Sequence, residues 1–329
     1  MRVGVVYNLK RHIITDPPDA EAEFDDGETI NAIANALESA GHRVALFEAD
    51  TGLFSKLVED RPDIAFNIAE GTGGRGRESR IPAILNYIGI PFTGSDETAM
   101  CLTMDKSLAK RILSTYGINT PASVLVRANA PAPDGIGDLN YPLIVKPNAE
   151  GSGKGITELS VVNDVREARK ALAEALRVYK QDMLVEEYIE GREFTVGILG
   201  NGENARAFTP MELIFKDAGR NIYGYETKRR FREFVDYKCP PDAGGDKLAE
   251  LTDTALKIFD ILGCADLARI DFRMDARGRV YFIELNPLPG LAPGYSDYPM
   301  LAEFCGVGYD GLINGILDAA SARYQLINV

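Results

Sequence analysis

Four cysteines in 329 residues, at positions 101, 239, 264 and 305, never come as a CxxC pair. That scatter excludes the spacing of a zinc site or a disulfide framework, and it predicts four buried thiols in a reducing compartment. Long apolar runs are missing as well. Nothing approaches the roughly 18 residues of a membrane span, and no basic-then-apolar leader precedes the apolar run that starts at Arg2. The cytoplasm is therefore the expected location, with no membrane partner. Positive charge is in deficit: the formal net charge is −13, which argues against nucleic acid or an anionic membrane and leaves phosphate recognition to a local pocket. The common nucleotide-loop signatures fail too. Gly151-Ser152-Gly153-Lys154-Gly155 lacks the earlier Gly of a Walker A loop and has Gly155 where Ser or Thr should follow the Lys. No GxGxxG follows the first strand, and neither repeats nor low-complexity segments are present.

What is present is an alternation of short apolar runs with helical periodicity. Strands are expected at 2–7, 43–47 and 63–68, and helices at 28–40, 53–59 and 81–88, which predicts a parallel α/β domain over 1–94. Loops at the ends of such strands face a ligand. A helix at 105–116, a strand at 141–145, a helix at 164–179 and a strand at 183–187 make an α+β unit over 95–185. The remainder, 186–329, is strand-rich with a helix at 246–262. The fold class is α/β joined to α+β, in three domains.

The chemistry concentrates in two β-rich runs, 268–274 and 279–287, around an Asp- and Gly-containing turn, the signature of an antiparallel hairpin. Alternation puts Ile270, Phe272 and Met274 on a core face, joined by Tyr281, Ile283 and Leu285. The other face receives Arg269, Asp271, Glu284 and Asn286. With the turn centred near Ala276 and Arg277, Arg269 falls opposite Glu284 and Asp271 lies diagonal to it, within roughly 5 to 8 Å. Two carboxylates and an amide in a loose group suit Mg²⁺ held partly by a phosphate substrate.

Further groups point the same way. Lys146 closes an apolar strand before Pro147, so it either snorkels from the strand end or faces an anion. The loop 151–155 can wrap a polyphosphate with its N–H groups and the Ser152 hydroxyl. Glu186, Glu187 and Glu193 flank a Glu190-Gly191 turn. Lys106 opposes the dipole of its own helix unless an anion sits beside it.

Together these pieces resemble the ATP-grasp superfamily and, within it, the D-alanine–D-alanine ligase family. The matching blocks run in order through nearly the whole chain: Gly89-Ile90-Pro91-Phe92-Thr93-Gly94-Ser95, Met104-Asp105-Lys106, Val145-Lys146-Pro147 with Glu150-Gly151-Ser152, and Val185-Glu186 with Glu193-Phe194-Thr195-Val196. Tyr225-Glu226-Thr227-Lys228, Arg269-Ile270-Asp271 and Glu284-Leu285-Asn286 with Pro289-Gly290 complete the set. The resemblance implies ATP between the central and C-terminal domains, with Lys106, Lys146 and Lys228 on its phosphates and Ser152 in the lid. Glu186 and Glu193 would hold the adenosine, and Tyr188, Ile189, Tyr223 and Ile283 would line the adenine slot. Asp271, Glu284 and Asn286 match the ligands of two Mg²⁺ ions, with Mn²⁺ as a substitute. Arg269 and the N–H of Gly290 match the oxyanion-stabilising pair, and Ser296 resembles the residue that holds the second substrate's carboxylate. The implied reaction is ADP-forming ligation of small amino-acid or carboxylate substrates through an acyl phosphate, by a homodimer.

Departures gather in the substrate pocket. Arg229 stands where the family has Tyr, and its guanidinium suits a carboxylate or phosphate. Glu70-Gly71 replaces His-Gly, followed by the basic loop of Arg75, Arg77 and Arg80. The Gly-rich turn leading to an amino-anchoring Glu is replaced by Asn8-Leu9-Lys10-Arg11-His12, with Glu21 or Glu23 left for that role. Pro287-Leu288-Pro289 replaces Thr-Ser-Pro, and Lys154 sits within the lid loop. The D-alanine dipeptide ligase is the first reading, and a ligase for another pair read by Arg229 is the second. A kinase stopping at phosphoryl transfer would not need Arg269 and Gly290, and a non-catalytic nucleotide module would not need three metal ligands.

Overall fold

A computed structural model describes residues 1–13, 19–129, 134–216 and 222–326, which build three sheets. The first holds β1 (Arg2–Tyr7), β2 (Arg43–Glu48) and β3 (Ile64–Asn67) in the order β2-β1-β3, all parallel. Parallel neighbours need crossovers, supplied here by α1 (Gly27–Ser39) and α2 (Leu53–Glu59). Asp26 starts α1 by accepting the Thr29 N–H at 2.9 Å, and Gly41, at φ 85°, turns the chain beyond its end.

After α3 (Arg80–Tyr87) come two helices where one was expected: α4 (Glu97–Met104) and α5 (Lys106–Thr115). Asp105 separates them, closing α4 and capping α5 through the Leu108 N–H at 3.0 Å. The sequence of α4, ETAMCLTM, is apolar on most sides, so no periodic stripe announces it.

The second sheet runs β4-β7-β5-β6, with β4 (Ser123–Val126), β5 (Leu143–Pro147), β6 (Val161–Val162) and β7 (Met183–Glu187), covered by α6 (Val165–Tyr179). The expected break at 185/186 falls inside β7, whose last residue is Glu187. The third sheet has six strands: β8 (Arg192–Leu199), β9 (Arg206–Ala207), β10 (Met211–Phe215), β11 (Val235–Lys238), β12 (Leu267–Met274) and β13 (Val280–Asn286). Their order is β11-β10-β8-β12-β13, with β9 beside β8. Between β10 and β11 lie the short helices α7 (Tyr225–Arg229) and α8 (Phe231–Phe234), and α9 (Gly245–Ile261) precedes β12.

Two cores cross the sequence divisions. Leu251 and Ile258 of α9 pack with Ala109 and Leu113 of α5 on Ile270, Phe272 and Phe282. The chain's last helices, α10 (Asp297–Phe304) and α11 (Tyr309–Arg323), share a core with the first sheet through Ile316, Val3 and Ile33. Each such buried Val, Leu, Ile or Phe side chain contributes on the order of 1.5–3 kcal/mol. The first domain and α5 are thereby held against the sheet that carries the hairpin.

The expectation of four buried thiols fails, since Cys101 is exposed and the other three are half-buried. Cys101 points outward because α4 turns Ala99, Met100 and Met104 inward instead. Among the described residues no helix is long and apolar enough to cross a membrane.

Candidate active site

Strands β12 and β13 pair in a register that differs from the expected one. Arg269 lies opposite Asn286, and Asp271 directly opposite Glu284. A bulge between Asp271 and Phe272 leaves Ile283 as the extra residue, because the next pair is Phe272 with Phe282. The extra residue flips the following faces. Val280 and Phe282, not Tyr281 and Ile283, therefore enter the core. Ile283 is freed to line the slot beside Glu284, so the bulge lets one strand serve core and ligand together.

Asp271 is heavily engaged. Its Oδ1 accepts from Thr195 Oγ1 at 2.7 Å and Arg269 Nε at 3.0 Å. Its Oδ2 accepts from Arg269 Nη2 at 2.8 Å and Asn286 Nδ2 at 3.2 Å. Glu284 faces Lys106 Nζ at 3.3 Å, which answers the anion that Lys106 lacked in the sequence. Burial disfavours its charge, but Lys106, Lys146 and Arg269 hold the Glu284 carboxyl well below its ordinary value. Two carboxylates and an amide on one strand pair form an all-oxygen donor set, which fits a hard dication.

Two cavities meet here. The smaller, of about 90 Å³, is a slot between the second and third sheets, walled by Ile144 and Lys146 on one side and Asp271 and Ile283 on the other. Glu186, Tyr188, Ile189, Glu193 and Tyr223 line it too, so the adenosine-side predictions converge. The larger, of about 390 Å³, holds Lys106, Ser152 and Asn286 together with Glu23, Glu70, Arg229, Gly290 and Ser296. Lys228, Arg269 and Glu284 line both.

Lys146 does not snorkel. It is 2% exposed and ion-paired with Glu186, which Lys110 also meets at 3.1 Å. Burial raises the Glu186 carboxyl, yet the two lysines outweigh it and hold it below its ordinary value. Burial pulls Lys110 down to about 8. Lys110 also donates to the Phe282 carbonyl at 3.2 Å, tying α5 to the hairpin. Sequence reading missed it, although its spacing of four from Lys106 puts both on one helix face. Glu193 faces Arg273 at 3.3 Å, and burial pushes it up to about 7.

The N-terminal wall is built differently. Glu23 takes both Nε and Nη2 of Arg77, each of these side chains being 3% exposed, and accepts the Gly151 N–H at 2.7 Å. Arg77 reaches on to the Ala149 carbonyl at 2.7 Å and to Glu150 at 3.3 Å, so one guanidinium joins three segments around the cleft. Glu70 and Glu78 lie beside it, and burial together with the neighbouring acids Glu78 and Glu23 drives the Glu70 carboxyl up. Glu21 meanwhile accepts the Arg11 and Ile13 N–H groups at 3.2 and 3.3 Å. In the lid loop, the Gly155 N–H donates to Asp19 at 2.9 Å and Lys154 pairs with Glu150 at 2.7 Å. Gly153 has φ 70°, and a Cβ there would meet the Tyr225 N at 2.9 Å, so the lid lies on α7 only as glycine. Arg229 is exposed at the rim, 3.2 Å from Glu226. A Cβ on Gly290 would meet Ser296 Oγ at 2.8 Å, so glycine is what lets these two groups stand together.

A lid-bearing antiparallel sheet facing a second sheet, with a lysine-lined slot between them and a carboxylate hairpin at its base, defines an ATP-grasp enzyme. The family model described as D-ala D-ala ligase C-terminus matches residues 113–318. The D-alanine–D-alanine ligase of Bordetella petrii is 34% identical, covering 98% of this chain and 93% of its own, and the uncharacterized protein y4sG of Sinorhizobium fredii is 32% identical over 98% of both. The structure of D-alanine–D-alanine ligase from Bacillus anthracis complexed with ATP superposes with a TM-score of 0.77 over 99% of both chains, at 21% identity. The chain belongs to the D-alanine–D-alanine ligase family.

Proposed function

We propose that this chain is an ADP-forming, ATP-dependent ligase that joins a carboxylate to an amine through an acyl phosphate. The observation that carries it is the sharing of Lys228, Arg269 and Glu284 between two cavities, one slot-like and one roomy. A group activated in one is thereby within reach of a group held in the other. The relatives named above supply D-alanine as the first substrate to test on both sides.

A carboxylate oxygen of the first substrate attacks the γ-phosphorus of ATP, the bond to the β,γ-bridging oxygen breaks, and ADP leaves. Lys106, Lys146 and Lys228 would carry the phosphate charge. Asp271, Glu284 and Asn286 would hold Mg²⁺, two ions in this reading with Mn²⁺ as a substitute, and the metal supplies further neutralisation of the phosphates when bound. The amine of the second substrate then attacks the acyl carbon, loses a proton, and expels inorganic phosphate. Arg269 and the Gly290 N–H would meet the oxyanion, and Ser296 the second carboxylate. Ser152 and the loop around it keep water from the acyl phosphate. A kinase has no use for the Arg269–Gly290 pair, and the ligase reading stands over it.

Substrate choice is written on the N-terminal wall. With Glu23 paired to Arg77, Glu70 would take an amino group of the first substrate in this reading, and Arg229 at the rim would meet an anionic group. Phosphate release from ATP and Mg²⁺ against D- and L-amino acids, singly and in pairs, with products identified by mass, is the deciding experiment. D-alanine turnover to the dipeptide supports the first reading, and inert D-alanine with another active pair moves the chain to the second. No phosphate release with any pair overturns the ligase reading. The expected homodimer is tested by the mass of the protein in solution.

A further inference from the structure

Asp297 follows Ser296, opens α10 and is 2% exposed. Its Oδ1 accepts the hydroxyl of Tyr223 at 2.9 Å and that of Tyr237 at 3.1 Å. Its Oδ2 stands 3.5 Å from Nη1 of Arg269. The other edge of the same guanidinium grips Asp271. Arg269 thus sits between two carboxylates, of which only Asp271 lies on the hairpin face with Glu284 and Asn286.

That arrangement sets up a competition. Both oxygens of Asp271 already receive two hydrogen bonds each, one of each pair from Arg269. A hard dication taking those lone pairs must displace some of them. Arg269 is 6% exposed, and a guanidinium that gave up its only counterion there would be a buried unpaired charge, which is strongly unfavourable. A second counterion removes that obstacle.

We propose that Asp297 is a positioning residue for Arg269: the alternative counterion that keeps the guanidinium charged and in place while Asp271 passes to the metal. The proposal rests on the ligase reading for the role of Arg269 and on Asp271 as a metal ligand. Asp297 itself is kept from the metal by its two tyrosine hydroxyls and by its place beyond the guanidinium.

Asp297→Asn keeps the shape and an oxygen for the tyrosines and removes the charge. Mn²⁺ binding in the presence of ATP, read from the EPR signal of free Mn²⁺, is expected to weaken about tenfold. Half-saturating Mg²⁺ in turnover should rise in parallel, with the KM for the amino-acid substrates held within about twofold and the metal-free melting temperature little changed. Asp297→Glu, which retains the charge, should recover part of the Mn²⁺ affinity, and Tyr237→Phe should leave it near that of the parent. Unaltered Mn²⁺ binding by Asp297→Asn overturns the proposal. So does equal loss in the Asn and Glu variants, which marks a packing defect; this comparison also decides the matter if the Asn variant is poorly folded. Mn²⁺ binding needs no amino acid, so the result stands apart from the search for substrates. A parent protein that binds no Mn²⁺ with ATP overturns the metal site and this proposal together.

Discussion

The cleft has two walls, and both are lined with ion pairs, but of different kinds. On the hairpin wall, Asp271 pairs with Arg269 and Glu284 with Lys106, the two carboxylates being 17% and 21% exposed to the cavities. On the N-terminal wall, Glu23 and Arg77 are each 3% exposed, and the guanidinium is filled by Glu23, the Ala149 carbonyl and Glu150. In the proposed reading the hairpin pairs exchange partners with a ligand, and the more deeply buried Glu23–Arg77 pair holds the wall in place. What separates the two walls is exposure to the cavities, not saturation, since Asp271 also accepts four hydrogen bonds from the chain.

The largest effect should come from breaking the exchangeable wall. Glu284→Gln or Asp271→Asn removes one metal charge and leaves shape intact. Turnover should fall by about a thousandfold or more, with the fold retained and the melting temperature modestly lowered, since Lys106, Lys146 and Arg269 favour the Glu284 charge and Arg269 pairs with Asp271. An active Glu284→Gln enzyme in the phosphate-release assay would sink the metal reading.

The scaffold wall should respond in the opposite currency. Arg77→Ala leaves Glu23 and Glu150 with Lys154 as their remaining shared cation and should cost on the order of 3 kcal/mol of stability, read by denaturant melts. Arg77→Met with Glu23→Gln should recover much of that. If the single variant is as stable as the parent, Arg77 belongs with the exchangeable pairs and the comparison collapses.

Lys110→Met tests the slot between the second and third sheets, whose Glu186 it meets. Removing one of two cations on Glu186 should raise the KM for ATP about tenfold and cost on the order of 1–3 kcal/mol. Unchanged ATP kinetics would reduce Lys110 to a packing role.

How much of this was legible depends on whether position or partner is asked for. Residues 53–59 and 183–187 are helix and strand as their periodicity says, and every residue assigned to the nucleotide, metal or substrate, apart from the alternative Glu21, lines one of the two cavities. Partners were not legible. The bulge at Ile283 changes register by one residue without any sequence mark, since Phe282 and Ile283 are equally apolar. Arg77 was visible as part of a basic loop, but its partner Glu23 is 54 residues away, and that distance is closed only by the fold. Asp297 reads as an ordinary acid in a first helical turn, and only the approach of Arg269 and two tyrosines gives it a role.

Arg229 stands at the rim of the larger cavity. Arg229→Tyr should shift substrate preference severalfold while leaving the KM for ATP within about twofold, because the side chain is exposed and its partner Glu226 is one turn away on the surface. Competition assays with paired amino acids measure it, and an unmoved preference would place Arg229 outside recognition.

The smallest expected effect is on stability and concerns Asp25, another acid of the larger cleft. Burial, reinforced by Asp26 and opposed by Lys10, raises its carboxyl to about 7. The unfolded chain ionises this group near its ordinary value of 3.8, so between there and about 7 the folded state holds the extra proton. Stability therefore falls as pH rises through that window, and levels off above it. Asp25→Asn removes this slope. Relative to the parent, the variant should gain roughly 1 kcal/mol between pH 4 and pH 8, a figure discounted for the partial exposure of the group. Denaturant melts at the two pH values measure the difference. A gain would show that the N-terminal wall keeps at least one acid whose charge the chain does not balance, in contrast to Glu23. No gain would mean that Lys10 balances Asp25 as fully as Arg77 balances Glu23.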